Sequence, residues 1–142
     1  MSKHGWRWSL AALFLSVAVT GCGKAPGGNA GTGAETAVRS YFGALVQKDW
    51  AAAYAALDPD SRKRCDSEQF ARLAQNYRKG LGFEPEDVHI RSCEEQGGEA
   101  MAHVVLQGHS GAKQRTFKDA VAARRSGTVW GVVLPAHFGE GR

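Results

Sequence analysis

Asp119 falls inside an apolar alternation. Phe117, Asp119, Val121 and Ala123 are spaced two apart, and residues at that spacing share one face of a strand. A carboxylate on a buried face is partly desolvated, and desolvation raises an acid's pKa. Such an acid suits a general base working near neutrality, or a neutral hydrogen-bond donor to an oxyanion. Two plainer readings compete: Lys118-Asp119 marks a bulge that turns both side chains to solvent, or Asp119 simply pairs with Arg39 or Arg72. The histidines offer less. His89 and His103 fall on strands, His109 in a hairpin loop and His137 near the tail, and no His/Cys/Asp/Glu set has metal-ligand spacing, so neither a metal nor another cofactor is expected. There is no Gly-x-Ser-x-Gly elbow and no phosphate-cradling glycine loop. Gly97-Gly98 reads as a turn.

What would hold Asp119 in place begins well downstream of the first apolar run. Lys3, His4 and Arg7 form a cationic start, Leu10 to Val19 an apolar core, and Val19-Thr20-Gly21-Cys22 its end; this is the layout of a secretory signal. A membrane-spanning helix needs about 20 apolar residues, and the run stops short of that. Val19-Thr20-Gly21-Cys22 resembles the lipobox of bacterial lipoproteins. The resemblance implies that residues 1–21 are removed, that the Cys22 thiol carries diacylglycerol, and that acyl chains of the palmitate type anchor the chain to a membrane. One acyl chain holds weakly and two or three hold durably, at roughly 0.8 kcal/mol per buried CH₂. Gly23, where an aspartate would mark retention, resembles the default sorting signal to the outer membrane, facing the periplasm, of a Gram-negative envelope.

Removal of Lys3 and Arg7 lowers the formal net charge of +4 by two. The remaining Lys and Arg interleave with Asp and Glu, as in Arg62-Lys63-Arg64 close to Asp58, Asp60 and Asp66, so no basic stripe for nucleic acid exists. Residues 22–33 are Gly-rich without a bulky apolar side chain and read as a flexible tether. Residues 34–138 are the size of one domain with one core, and 139–142 are a tail.

Val38, Tyr41, Phe42 and Leu45 fall at i, i+3, i+4 and i+7, one helical face. Trp50, Tyr54 and Leu57 line a second helix, which Asp58-Pro59-Asp60 ends in a turn. Asp66 with Gln69 resembles a capping box for a third, faced by Phe70, Leu73, Ala74 and Tyr77 and stopped by Gly80. Beyond Pro85 the period becomes two, predicting strands over 88–94, 99–107, 113–125 and 128–134 joined by short glycine-bearing hairpins. A Ser126-Gly127 turn would set Asp119 opposite Leu134. One sheet face then carries Val88, Ile90, Ala102, Val104, Leu106, Phe117, Val121, Ala123, Trp130, Val132 and Leu134. The expected fold is α+β, with three N-terminal helices covering that face of a curved four-stranded antiparallel sheet.

Val38-Arg39-Ser40-Tyr41-Phe42 and Trp50-Ala51-Ala52-Ala53-Tyr54, leading to a meander that ends Val129-Trp130-Gly131-Val132-Val133, resemble the nuclear transport factor 2-like superfamily over about residues 35–134. More narrowly, the chain is similar to small bacterial lipoproteins of unknown function with that cone; a cystatin-like arrangement is the nearest competitor. The resemblance implies a sheet wrapped round helices with a pocket at the open end, used in the superfamily for isomerases and dehydratases, for ligand binding, or for nothing but packing. In its steroid isomerases carboxylates and a tyrosine line the cone, which implies Tyr41 or Tyr54 as phenolic partner of Asp119. Two functions follow: a non-catalytic module binding a partner protein or small apolar ligand, or an isomerase- or hydrolyase-like enzyme using Asp119.

Cys65 and Cys93 remain as an even pair in an oxidising compartment, which predicts a disulfide between them. Strand parity nevertheless puts Cys93 on the outer face, away from the helices, and two separate thiols are the alternative. Met101, Val105, Val129 and Val133 are apolar on that outer face. They mark a homodimer or envelope-protein contact, unless the tail from Pro135 folds over them.

Overall fold

The computed structural model describes residues 32–140; the leader, Cys22 and nearly all of the tether lie outside the described residues. The Thr32 hydroxyl accepts the Glu35 N–H at 3.2 Å and so caps α1 (Gly33–Gln47). Val38, Tyr41, Phe42 and Leu45 are buried on one face, as their spacing demands. Asp49 caps the short α2 (Trp50–Ala55) through the Ala52 N–H. The next segment departs from expectation. Asp58-Pro59-Asp60 does not make a simple turn but opens α3 (Pro59–Arg64): Asp58 Oδ1 accepts the Ser61 N–H at 3.0 Å, and Pro59 takes the first helical position, where no N–H is needed. Four helices therefore precede the sheet instead of three. Asp66 accepts the Gln69 N–H at 2.7 Å and caps α4 (Ser67–Gly80).

Four antiparallel strands follow in the order β1-β2-β3-β4: β1 (Glu84–Gln96), β2 (Glu99–Ser110), β3 (Lys113–Ser126) and β4 (Val129–Val132). Ala102, Val104, Leu106, Val121, Ala123 and Val132 are buried on the face that packs on α1. The last hairpin turns at Gly127-Thr128, with Gly127 at φ 63°, so Ala123 faces Val132 and Arg125 faces Trp130. This register differs by two residues from the expected one. A two-residue slip keeps every side chain on its face, because the strand period is two, but it ends β4 early. Leu134 does not reach Asp119; it has left the sheet, and its N–H is accepted by Ser61 Oγ at 2.9 Å. The part of β3 that carries Asp119 thus has β2 beside it but no β4.

Cys93 also departs from its expected face. Register shifts between Pro85 and Asp87 and between Ile90 and Ser92 mark two irregularities in β1, and the second reverses side-chain parity, so Cys93 pairs with inward-facing Ala102. Inward placement still does not bring it to Cys65. Cys93 lies beside Thr32 at the start of α1, with the Thr32 hydroxyl 3.9 Å from its sulfur, whereas Cys65 is buried at the end of α3. The expected Cys65–Cys93 disulfide is absent and both thiols are free.

One buried cation ties the layers together. Arg78 on α4 is 6% exposed. Its Nη1 donates to the carbonyls of Leu45 and Val46 at 2.7 and 2.9 Å, satisfying the end of α1, and its Nη2 pairs with Glu84 at the start of β1. On the outer sheet face Met101 and Val129 are 45% and 68% exposed. Among the described residues the tail does not cover them: residues 135–140 pass along α4 on the opposite side.

Candidate functional site

Where β4 stops short, a cavity of about 470 Å³ opens between α4, β3 and the tail, walled by Tyr77, Leu81, Phe117, Asp119, Pro135 and Phe138. Strand parity brings Asp119 to it: β3 pairs with β2 without a bulge, Asp119 stands opposite inward-facing Val104, and Lys118 points outward. The bulge reading and the arginine pairings do not occur, because Arg39 bonds to Glu35 and Arg72 lies beside Glu68.

The partner of Asp119 is Tyr77. The Tyr77 hydroxyl donates to Asp119 Oδ2 at 2.8 Å, and the Ala120 N–H donates to Oδ1 at 2.9 Å. Tyr77 belongs to the apolar stripe of α4, one turn before its end, and its sequence position marks it as core. Only the crossing of α4 over β3 turns that core tyrosine into a polar partner.

Tyr54 does not reach the site. Its hydroxyl bonds to the carbonyls of Arg62 and Cys65 at 3.2 and 3.0 Å, and its ring packs on Phe70 with 5.7 Å between centroids. It fastens α2 to the end of α3. Tyr41 lies deeper. It is 1% exposed, and its hydroxyl has no hydrogen-bond partner among the described residues. Burial, and after it the negative charge of Asp119, push its phenol well above the usual tyrosine range. The carboxylate at the cavity wall is therefore felt inside the core.

Between Tyr41 and the cavity stands Phe138. Its ring stacks on Tyr77 at 5.0 Å and on Phe70 at 5.8 Å, and lies 6.4 Å from Tyr41. Gly139 seats it: the backbone there has φ 69°, and a Cβ would collide with the Leu73 carbonyl oxygen of α4. Nothing in the spacing of Phe138 marks it as part of a site, because it follows the last strand and belongs to no periodic pattern. Among the described residues no group of three or more His, Cys, Asp or Glu side chains is gathered to hold a metal ion.

A buried hydroxyl without a partner costs about 1–3 kcal/mol. Tyr41→Phe is therefore expected to stabilise the ligand-free domain by about 1 kcal/mol in urea unfolding at neutral pH. The sign at high pH follows from the raised phenol. The folded state retains a proton that the unfolded chain releases above about pH 10, so stability falls as pH rises beyond that point. Tyr41→Phe should flatten that alkaline loss. An unchanged alkaline limb would show that Tyr41 ionises freely in the fold.

No protein-family model matches the chain, and comparison with curated proteins gives no match. Solved structures do match its shape. An NTF2-like protein from Campylobacter jejuni is 14% identical with a TM-score of 0.55, the match covering 71% of this chain and 97% of that one. A SEC-C motif containing protein from Rhodopseudomonas palustris is 16% identical with a TM-score of 0.55, covering 73% and 79%. An NTF-2 like protein of unknown function from Shewanella oneidensis is 10% identical with a TM-score of 0.50, covering 71% and 92%. Likeness at such identity is likeness of fold: an α+β, NTF2-like domain with an open, curved antiparallel sheet.

Proposed function

We propose that the chain is a lipid-anchored bacterial envelope lipoprotein whose cone-shaped domain is a non-catalytic module that takes a small apolar ligand at its mouth. The anchoring rests on the lipobox-like Val19-Thr20-Gly21-Cys22 behind an apolar core. Cys22→Ser should abolish incorporation of labelled palmitate and release the protein from the membrane fraction. Persistent labelling would rule out Cys22 as the acylated residue. An anchored domain reaches only what passes its tether, in a Gram-negative host the periplasm beneath the outer membrane.

The observation that supports ligand binding is the cavity of about 470 Å³, lined mainly by apolar and aromatic side chains with one carboxylate–phenol pair. Apolar walls with a few placed polar groups are the usual composition of small-molecule sites. The test is native mass spectrometry of the intact chain extracted from its own membrane. A reproducible adduct is expected, and Gly80→Trp should remove it: Gly80 lines the cavity, and a Cβ there meets nothing within 4 Å, so the indole can fill the space without displacing backbone. An adduct that survives Gly80→Trp, or no adduct at all, would argue against the reading.

The Asp119–Tyr77 pair favours a second reading, an isomerase- or hydrolyase-like enzyme with Asp119 as acid or base. It differs in outcome. The released ligand would then be converted on incubation with the wild-type protein and not with Asp119→Asn.

A further inference from the structure

We infer that the ligand of the mouth cavity is an organic cation, an ammonium group carried on a small apolar body. The inference rests on the ligand-binding reading above and goes beyond it. Although the chain as a whole is basic, with a formal net charge of +4, the cavity lining contains Asp119 and Glu140 and no Lys or Arg. Glu140 is engaged by His137, 2.9 Å from its carboxylate. Asp119 is not matched in this way. It accepts from a neutral phenol and a backbone amide, and among the described residues no Lys, Arg or His nitrogen forms an ion pair with it. A half-buried carboxylate with hydrogen bonds but no counter-charge favours a cation over a neutral or anionic guest.

The walls agree with that charge. Three aromatic rings line the space: Tyr77 meets Phe117 edge-on at 6.5 Å and an interplanar angle of 79°, and stacks on Phe138 at 25°. Phe138 is stacked between Tyr77 and Phe70, so the aromatic wall beside Asp119 is the corner made by Tyr77 and Phe117, and aromatic walls of this kind attract quaternary ammonium groups. The hydrogen bond from Tyr77 to Asp119 adds electron density to the phenol ring and strengthens its pull on a cation. An anion would meet the carboxylate and the same ring faces as repulsion.

The discriminating probes are choline and its uncharged carbon isostere, neohexyl alcohol, which differ in the charge of one central atom. Each is titrated into the intact chain in a non-ionic detergent, following the ring signals of Tyr77 and Phe117 by NMR. Choline is expected to bind at least about tenfold more tightly than the isostere, and Asp119→Asn, which keeps the shape and an acceptor for Tyr77, should erase the preference. Should that variant fail to fold, Phe117→Leu keeps the apolar wall and removes one ring face. It is expected to weaken choline several-fold and leave neohexyl alcohol unchanged; equal effects on the two would overturn the inference. Equal binding of the two probes to the wild-type chain overturns the cation and leaves the cavity as a general apolar site. Binding of neither overturns the cation as well, and the Gly80→Trp adduct experiment then decides separately whether the cavity binds anything.

Discussion

Arg78→Met is expected to destabilise the domain by about 3 kcal/mol and to do so at any pH between 5 and 8. The guanidinium accounts for two carbonyls at the end of α1, those of Leu45 and Val46, at a position 6% exposed. Leaving a buried acceptor unsatisfied costs about 1–3 kcal/mol, and methionine fills the space without offering a donor. Glu84 contributes little to the loss. Its side chain is 59% exposed and keeps Lys48 as a partner at 3.0 Å, so solvent and the remaining cation screen it. Its carboxyl is held below the usual range first by that hydrogen bond from Lys48, with the charge of Arg78 adding to it against desolvation. Arg78→Lys should recover only part of the stability, because one ammonium cannot span two carbonyls and a carboxylate in the fork geometry of arginine. Urea unfolding measures both variants. A loss under about 1 kcal/mol for Arg78→Met would mean that water reaches the end of α1 and that Arg78 is not the joint between helices and sheet.

Phe138→Ala is the second large effect, about 2–4 kcal/mol, and it carries a functional readout. Removing the ring takes away the stacking partner of Phe70 and Tyr77 and opens the cavity inward to the Tyr41 hydroxyl. Water entering there would hydrate the phenol and lower its pKa towards the ordinary tyrosine value. Stability and the near-ultraviolet absorbance of phenolate should therefore change together: a less stable domain in which one more tyrosine ionises before alkaline unfolding. A stability loss with the Tyr41 titration unchanged would mean that the neighbouring rings collapse into the gap, and that Phe138 does not separate the cavity from the core.

How far the residues alone foretell this arrangement depends on the range of the interaction. Local patterns succeed. The Val38, Tyr41, Phe42, Leu45 spacing buries as written, the Asp66 cap closes on the Gln69 N–H, and the inward set of the sheet packs on the core, except that Leu134 lies beyond the end of β4. Asp58-Pro59-Asp60 misleads because an Asp-Pro pair suits a turn and a helix start equally; what selects the helix is distant, the approach of Arg124 to within 3.6 Å of Asp58 and the capture of the Leu134 N–H by Ser61. Cys93 misleads for a different reason. A bulge has no residue signature strong enough to announce it in Ile90-Arg91-Ser92, yet one extra residue inverts every side chain beyond it. At the site, Asp119 is legible from alternation alone, whereas Tyr77 and Phe138 join it through packing between segments some forty and twenty residues away, which no spacing rule encodes.

The two irregularities of β1 have a consequence outside the domain. β1 is the outermost strand, thirteen residues long, with no strand beyond it among the described residues. So long a row of unpaired amides and carbonyls would be a template on which a second chain could zip. Pro85 lacks an amide to offer, the breaks after Pro85 and Ile90 put successive hydrogen-bonding groups out of step, and Glu86, Asp87, Arg91, Glu94 and Glu95 would each have to shed water to let another strand approach. The kink that keeps Cys93 from its expected face is thus also a flaw in the template. Molecules crowded on one surface would find no straight edge by which to polymerise.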